Sequence, residues 1–309
     1  MTLNGQRVVK PKQSVMAVRR VREAAVAGYF YPKESEALRQ EVSRLTHACL
    51  PHSASRLPLV HQGGQEGRQG SEPVLQSSSA IVPHAGYQFS GSVAGETFRH
   101  LSIPTQCIIL GPNHTGWGVP WSLMAEGAYA TPLGEVPIDE ALATALLEAC
   151  PLLARDALAH QGEHAIEVEL PFLQLLGPEA LSIVPIVIGS DDPQEFGQVG
   201  EALAQVIRSI EKPVLVLASS DFTHYEPRLV AAQKDAKLIE AIVALDEQEF
   251  LHRVQDLRVA MCGVGPVACL LGATKRLGAT RAQLIRYATS ADAGGDPASV
   301  VGYAGIILN

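Results

Sequence analysis

Five short stretches hold the residue types from which a reactive site could be built. They are AIVPHAGYQFSG with His84, IILGPNHTGWG with His114, QGEHAIEVELPF with His164 and Glu167, LVLASSDFTHYE with Asp221 and His224, and AMCGVGPVACLL with Cys262. His84 and His114 each sit among Pro and Gly at the end of an apolar run. Those neighbours fix chain direction and let a ligand come close to the backbone. Cys262 precedes Gly263 and Gly265-Pro266 at the expected start of a helix, where free N–H groups and the helix dipole favour a thiolate. Two neutral imidazoles and one anion make a half-open coordination sphere. With a carboxylate as the anion this suits non-haem Fe(II), and with a thiolate it also suits copper or zinc. Asp221 and His224 then read as supporting groups, one orienting and one exchanging protons near neutral pH. His164 with Glu167 reads as a further acid/base pair or a helix cap.

The remaining histidines, His47, His52, His61, His100, His160 and His252, read as ordinary hydrogen-bonded residues. Cys107, Cys150 and Cys269 lie inside apolar runs and read as small buried hydrophobes. Cys262 could instead be a nucleophile activated by a histidine. Tyr29, Phe30, Tyr31, Tyr87, Phe89 and Trp117 lie near the motifs and could line a cleft of a non-catalytic peptide-binding protein.

The elements that must position these groups alternate along the chain. SSSAIVP, TQCIILGP, LSIVPIVIG, KPVLVLASS, QLIRYATS and VVGYAGIIL read as strands. ESEALRQEVSRLTHACL, GSVAGETFRHL, DEALATALLEAC, FGQVGEALAQVIRSI, RLVAAQKDAKLIEAIVAL and GPVACLLGATKRLG read as helices. HAIEVELPFLQLL is another, bent or begun at Pro171. Unbroken Ile/Val/Leu runs between amphipathic helices predict an internal sheet covered on both faces. The expected fold is α/β, a single three-layer α/β/α domain over 25–309 with a mainly parallel or mixed sheet. In such folds ligands gather beyond the carboxyl ends of the strands, where His84 and His114 fall.

The 309 residues are 47% hydrophobic with a net charge of -8, which argues against a general nucleic-acid binder. The basic residues between Gln6 and Arg22 read as a solvated arm within 1–24, and 51–73, rich in Pro, Gly, Ser and Gln, as a flexible insertion. No apolar run approaches the ~20 residues of a membrane span, and no secretory leader is visible. The expected compartment is the cytoplasm, with no membrane partner.

AVAGYFYP, VPHAGYQFSG, LGPNHTGWG, TPLGEVPID, EHAIEVELPFLQ, SSDFTHYE, CGVGPVACLL and YATSADAGGDPASVVGYAGI, in this order, resemble the Memo family. Its bacterial and archaeal members are called AmmeMemoRadiSam system protein B. The resemblance runs from about Ala25 to the C-terminus. It implies a fold similar to the catalytic subunit of class III extradiol dioxygenases. It also implies a metal pocket matching His84, His114 and Cys262, with Asp221 and His224 close by. In those dioxygenases the third iron ligand is a glutamate, and here Cys262 takes its place. The implied activity is a dioxygenase-like oxidoreductase using iron(II), with copper or zinc as alternatives. Implied partners are a radical S-adenosylmethionine enzyme and a small accessory-domain protein. No CxxxCxxC motif occurs, so this chain is not the radical enzyme.

Overall fold

A computed structural model describes residues 21–47 and 77–309. The 51–73 insertion, Cys49, His52, His61 and most of the basic arm lie outside the described residues. In chain order the strands are β1 (Val21–Arg22), β2 (Ser77–Val82), β3 (Gln106–Pro112), β4 (Trp121–Leu123), β5 (Ala128–Thr131), β6 (Gly134–Pro137), β7 (Ala154–Arg155), β8 (Ser182–Ile188), β9 (Val214–Ser219), β10 (His224–Glu226), β11 (Ala282–Thr289) and β12 (Val300–Leu308). The helices are α1 (Ser35–His47), α2 (Tyr87–Arg99), α3 (Glu140–Ala149), α4 (Leu170–Leu176), α5 (Pro193–Arg208), α6 (Arg228–Val243), α7 (Glu247–Asp256) and α8 (Val264–Arg276).

The main sheet runs β10-β12-β2-β9-β3-β8-β4-β7, with β11 also paired to β12. Its centre, β2-β9-β3-β8, is parallel, while β12 and β4 join it antiparallel, so the sheet is mixed. All six residues of β9 are buried. Each fully buried Val or Leu contributes roughly 1.5–3 kcal/mol, which is why this strand is an unbroken apolar run. α8 lies against β2, β3 and β9 with α5 and α7 beside it, and α2 lies against β2, β11 and β12 with α1 and α4 beside it. This is the helix–sheet–helix layering expected from the alternation.

Local chemistry sets the helix starts. Asp139 accepts from the N–H of Leu142 to open α3. Asp192 accepts from that of Gln194 to open α5, with Pro193 in its first turn. The segment HAIEVELPFLQLL is not one helix. A 3-10 turn at Glu167–Glu169 precedes α4, and Pro171 sits in the first turn of α4, where its missing N–H costs nothing. α2 begins at Tyr87, four residues before the expected Gly91, because no side-chain cap marks its start. α7, opened by Asp246, buries Phe250, with Leu251 and Val254 on the same face packed against the core. The short strands β1, β5 and β6 form a separate small sheet.

Candidate metal centre

β2, β9 and β3 are adjacent and parallel, and each is followed two residues later by a polar side chain: His84, Asp221 and His114. The common strand direction therefore delivers all three to one edge of the sheet. Asp221 Oδ1 accepts from the backbone N–H of His84 at 2.9 Å, joining two of these loops. Burial pushes the Asp221 carboxyl up to about 6, despite that hydrogen bond and the nearby His224.

The imidazoles of His84, His114 and His164 converge, with one ring nitrogen from each lying within 4.8 Å of the others. The His114 and His164 rings stack with centroids 4.6 Å apart, and His84 stands edge-on to both, at 5.2 and 5.5 Å. His84 is buried, His164 half-buried and His114 exposed, so the cluster opens to solvent on the His114 side. His164, expected with Glu167 as an acid/base pair or a helix cap, stands within the imidazole cluster.

Cys262 Sγ lies 3.4 Å from His84 Nε2 and accepts from the N–H of Asp221 at 3.3 Å. It is beside the cluster, within reach of one imidazole. The thiolate expected there from a helix start does not follow. Burial, then the charge of Asp221, push the thiol up instead. The reason is positional: α8 begins at Val264 with Gly263 as its cap, so Cys262 precedes the turn whose N–H groups are free. Gly263 is required there, since an added Cβ would stand 2.3 Å from Ser220 Oγ.

Outer contacts orient two of the rings. His84 Nδ1 meets Ser219 Oγ at 2.9 Å, and His114 Nδ1 meets Glu163 Oε1 at 2.9 Å. Glu163 also accepts from the backbone N–H groups of His114, His164 and Ala165, and its Oε1 lies 3.5 Å from His164 Nδ1. Burial alone would raise this carboxyl, but His114 and these N–H groups outweigh it and hold it below the usual range. Burial alone would lower His114, but its bond to Glu163, together with the charges of Glu163 and Asp221, outweighs it and raises the pKa. Burial, then the neighbouring imidazoles, push His84 well below its ordinary value, and burial lowers His164 too. Glu163 was not singled out from sequence, although an acid directly before His164 was a visible signal.

The His114 loop is shaped by its own residues. Asn113 Oδ1 accepts from Thr115 Oγ1 and the N–H of Gly116, and its Nδ2 donates to Trp117 O. Gly118 takes φ +76°, with no room for a Cβ beside Asp156. His224 Nδ1 faces the carbonyls of Phe222 and Ala260 at 2.7 and 2.8 Å, so Nδ1 carries the proton in the neutral ring.

Glu167 is not one of the converging groups. It is fully buried and accepts from Arg22, Tyr31 and the N–H groups of Ala25 and Val26. It therefore anchors the 22–31 segment. Arg22 is likewise not part of a solvated arm. It is 4% exposed and also donates to the carbonyls of His160 and Glu163, tying down the loop before His164. Phe30, held on that segment, packs 4.8 Å from the His164 ring. Tyr31 and Tyr87 are core residues, while Tyr29 and Trp117 are exposed. His47 and His100 bond to their own helices, and His160 to Tyr129.

Residues 22–307 match the family described as Memo-like protein. The chain belongs to the Memo-like family. A MEMO1 family protein of Methanopyrus kandleri is 43% identical over 292 residues, covering 93% of this chain and 98% of its own. One of Methanothermobacter thermautotrophicus is 39% identical over 287 residues, covering 92% and 99%. Among solved structures, an uncharacterized protein of Escherichia coli K12 overlays with a TM-score of 0.49 at 18% identity, over 75% of this chain and 99% of that one. The donor set of this Memo-like chain fits a transition metal. Its imidazoles are aimed at one another, two have Nδ1 engaged by an outer partner, and a sulfur stands beside them. No helix among the described residues is long and apolar enough to cross a membrane.

Proposed function

We propose that this protein is a cytosolic, non-haem metal-dependent oxidoreductase, dioxygenase-like in fold. Its metal would be held by His84, His114 and His164, with Cys262 as a further donor. The observation that carries this reading is the convergence of three imidazoles from three separate segments, with ring nitrogens within 4.8 Å of one another. A cation about 2.0–2.1 Å from each nitrogen needs them roughly 3–3.5 Å apart, a contraction that side-chain rotation supplies. Iron(II) is the first choice, with copper or zinc as alternatives.

Bound there, such an ion supplies Lewis-acid and, for iron or copper, redox chemistry. The chain's own residues prepare the site. Glu163 and Ser219 fix two of the rings, and Asp221 holds the His84 backbone. His224, with Nδ1 tied to two carbonyls, keeps Nε2 as the atom that takes or gives a proton. A cavity of about 330 Å³, lined by Phe196, Leu251, Val254, Met261, Val264 and Cys262 among others, adjoins the cluster through Cys262. Its lining is mostly apolar, with Ser190, Asp191 and Gln255 as the polar members, which suits a largely apolar part of a small substrate that carries no negative charge. The radical S-adenosylmethionine enzyme and accessory-domain protein are the proposed partners.

The Cys262–His84 contact also suits a cysteine nucleophile, but the raised thiol counts against it. The test is Fe(II) titration of anaerobic protein beside His84→Ala, His164→Ala and Cys262→Ser. Each His→Ala should weaken binding beyond the roughly 10–100-fold typical of an outer partner, and Cys262→Ser should weaken it less than either. Unchanged binding in His84→Ala and His164→Ala would discard the site.

A further inference from the structure

Beneath His84 lies a buried acid that the proposed function does not use. Ser219 Oγ is 2.9 Å from His84 Nδ1, 2.7 Å from Ala165 O and 2.9 Å from Glu169 Oε1. A serine hydroxyl has one proton to give and two lone pairs with which to accept. A backbone carbonyl only accepts, so the hydroxyl proton belongs to the short contact with Ala165 O. His84 Nδ1 and Glu169 Oε1 must then each bring a proton of their own.

The other arrangement has Ser219 donating to an ionised Glu169. It leaves two oxygens 2.7 Å apart at Ala165 with no proton between them. It also strands a bare charge. Glu169 is fully buried, its Oε2 has no hydrogen-bond partner among the described residues, and the charge acting on it is that of Asp221, of like sign. An isolated buried carboxylate is costly enough that the group keeps its proton instead. Burial accordingly pushes the Glu169 carboxyl well above the usual range.

We infer that Glu169 is an un-ionised positioning residue whose hydroxyl donates to Ser219, keeping Ser219 as the acceptor for the Nδ1–H of His84. His84 Nε2 is thereby left with its lone pair free, facing Cys262 and the other imidazoles. Without the Glu169 donor, Ser219 keeps its bond to Ala165 O but loses one of the three partners that fix its orientation, so the His84 ring is held less firmly. The consequence for metal binding rests on the proposed function, whereas the proton placement does not.

The test uses the full chain, metal-free and then titrated anaerobically with Fe(II). The wild type should show the infrared C=O band of a neutral carboxylic acid, absent in Glu169→Gln, and ring 15N shifts placing the His84 proton on Nδ1. Glu169→Gln, whose amide can donate the same bond, should keep that tautomer and bind Fe(II) within about threefold of wild type. Glu169→Met, similar in length but without a donor, should loosen the His84 ring, broadening its resonances, and weaken binding by about 10–100-fold. A neutral-acid band in the wild type that Glu169→Gln leaves unchanged, no such band at all, or a wild-type His84 protonated on Nε2, would overturn the inference, and none of these measurements depends on the Met variant folding. Unchanged ring resonances and affinity in a folded Glu169→Met would overturn it as well. Failure of the wild type to take up Fe(II) would count against the metal reading alone, and the infrared and NMR results would still decide the proton placement.

Discussion

Glu163 shows how one side chain can organise a site without entering it. Its two oxygens serve His114 Nδ1 and three backbone N–H groups, so two of the three imidazole-bearing segments are pinned by the same carboxylate. Glu163→Gln keeps the shape but replaces an acceptor oxygen with a donor, which conflicts with the N–H groups that now point at acceptors. The expected result is a loss of roughly 10–100-fold in Fe(II) affinity, measured by titration, with far-UV circular dichroism unchanged. Affinity equal to wild type would mean that His114 is aimed by its loop alone. At this scale the sequence was legible where a residue's neighbours constrain it. His84 and His114 were read from the Pro and Gly around them. Around His164 nothing local shows that its ring stacks on His114.

The elements around the site depend on a buried ion pair that no motif announces. Glu167 and Arg22 lie 145 positions apart, and they join the small sheet and the 22–31 segment to the turn before α4. Removing one partner of such a pair leaves an unpaired buried charge, at a cost of about 3–5 kcal/mol. Glu167→Ala should therefore lower the unfolding free energy by that amount in urea or guanidinium denaturation. It should also loosen Phe30 from His164, seen as a shift of the His164 ring resonances. A loss under about 1 kcal/mol would mean that the pair contributes no more than an exposed one. Arg22 read as part of a solvated arm because a basic run is usually solvated. Its partner became visible only when the chain had folded back on itself.

For the molecule as a whole, Asp235 on α6 ties two distant parts together. It accepts from Thr223 in the loop before β10 and from Tyr287 on β11, in a fully buried position. Burial raises its carboxyl from the ordinary 3.8 to about 6, against the opposing pull of those hydrogen bonds. The folded state therefore holds a proton that the unfolded state has lost between about pH 4 and 6. Stability must fall as pH rises through that window and level off above it. The displacement corresponds to ~3 kcal/mol at most. Asp235→Asn should remove that part of the slope, so its stability relative to wild type should improve from about pH 4 to 6. Denaturation curves across that range provide the check. Parallel curves for the two proteins would show that Asp235 ionises normally in the fold.

By itself the sequence determined the strands and helices that bury large apolar runs, their layering, the family, and the two imidazoles at strand ends. These follow from local rules: apolar periodicity, caps, and the stiffness of Pro and Gly. Only the tertiary structure decided that His164 completes the cluster, that Glu163 and not Glu167 supports it, and that the Cys262 thiol is pushed up. Those outcomes depend on burial and on partners far away in sequence, which exist only once β2, β9 and β3 lie side by side. The short strands escaped for the same reason, since their few residues are held in place by neighbours more than by their own propensity.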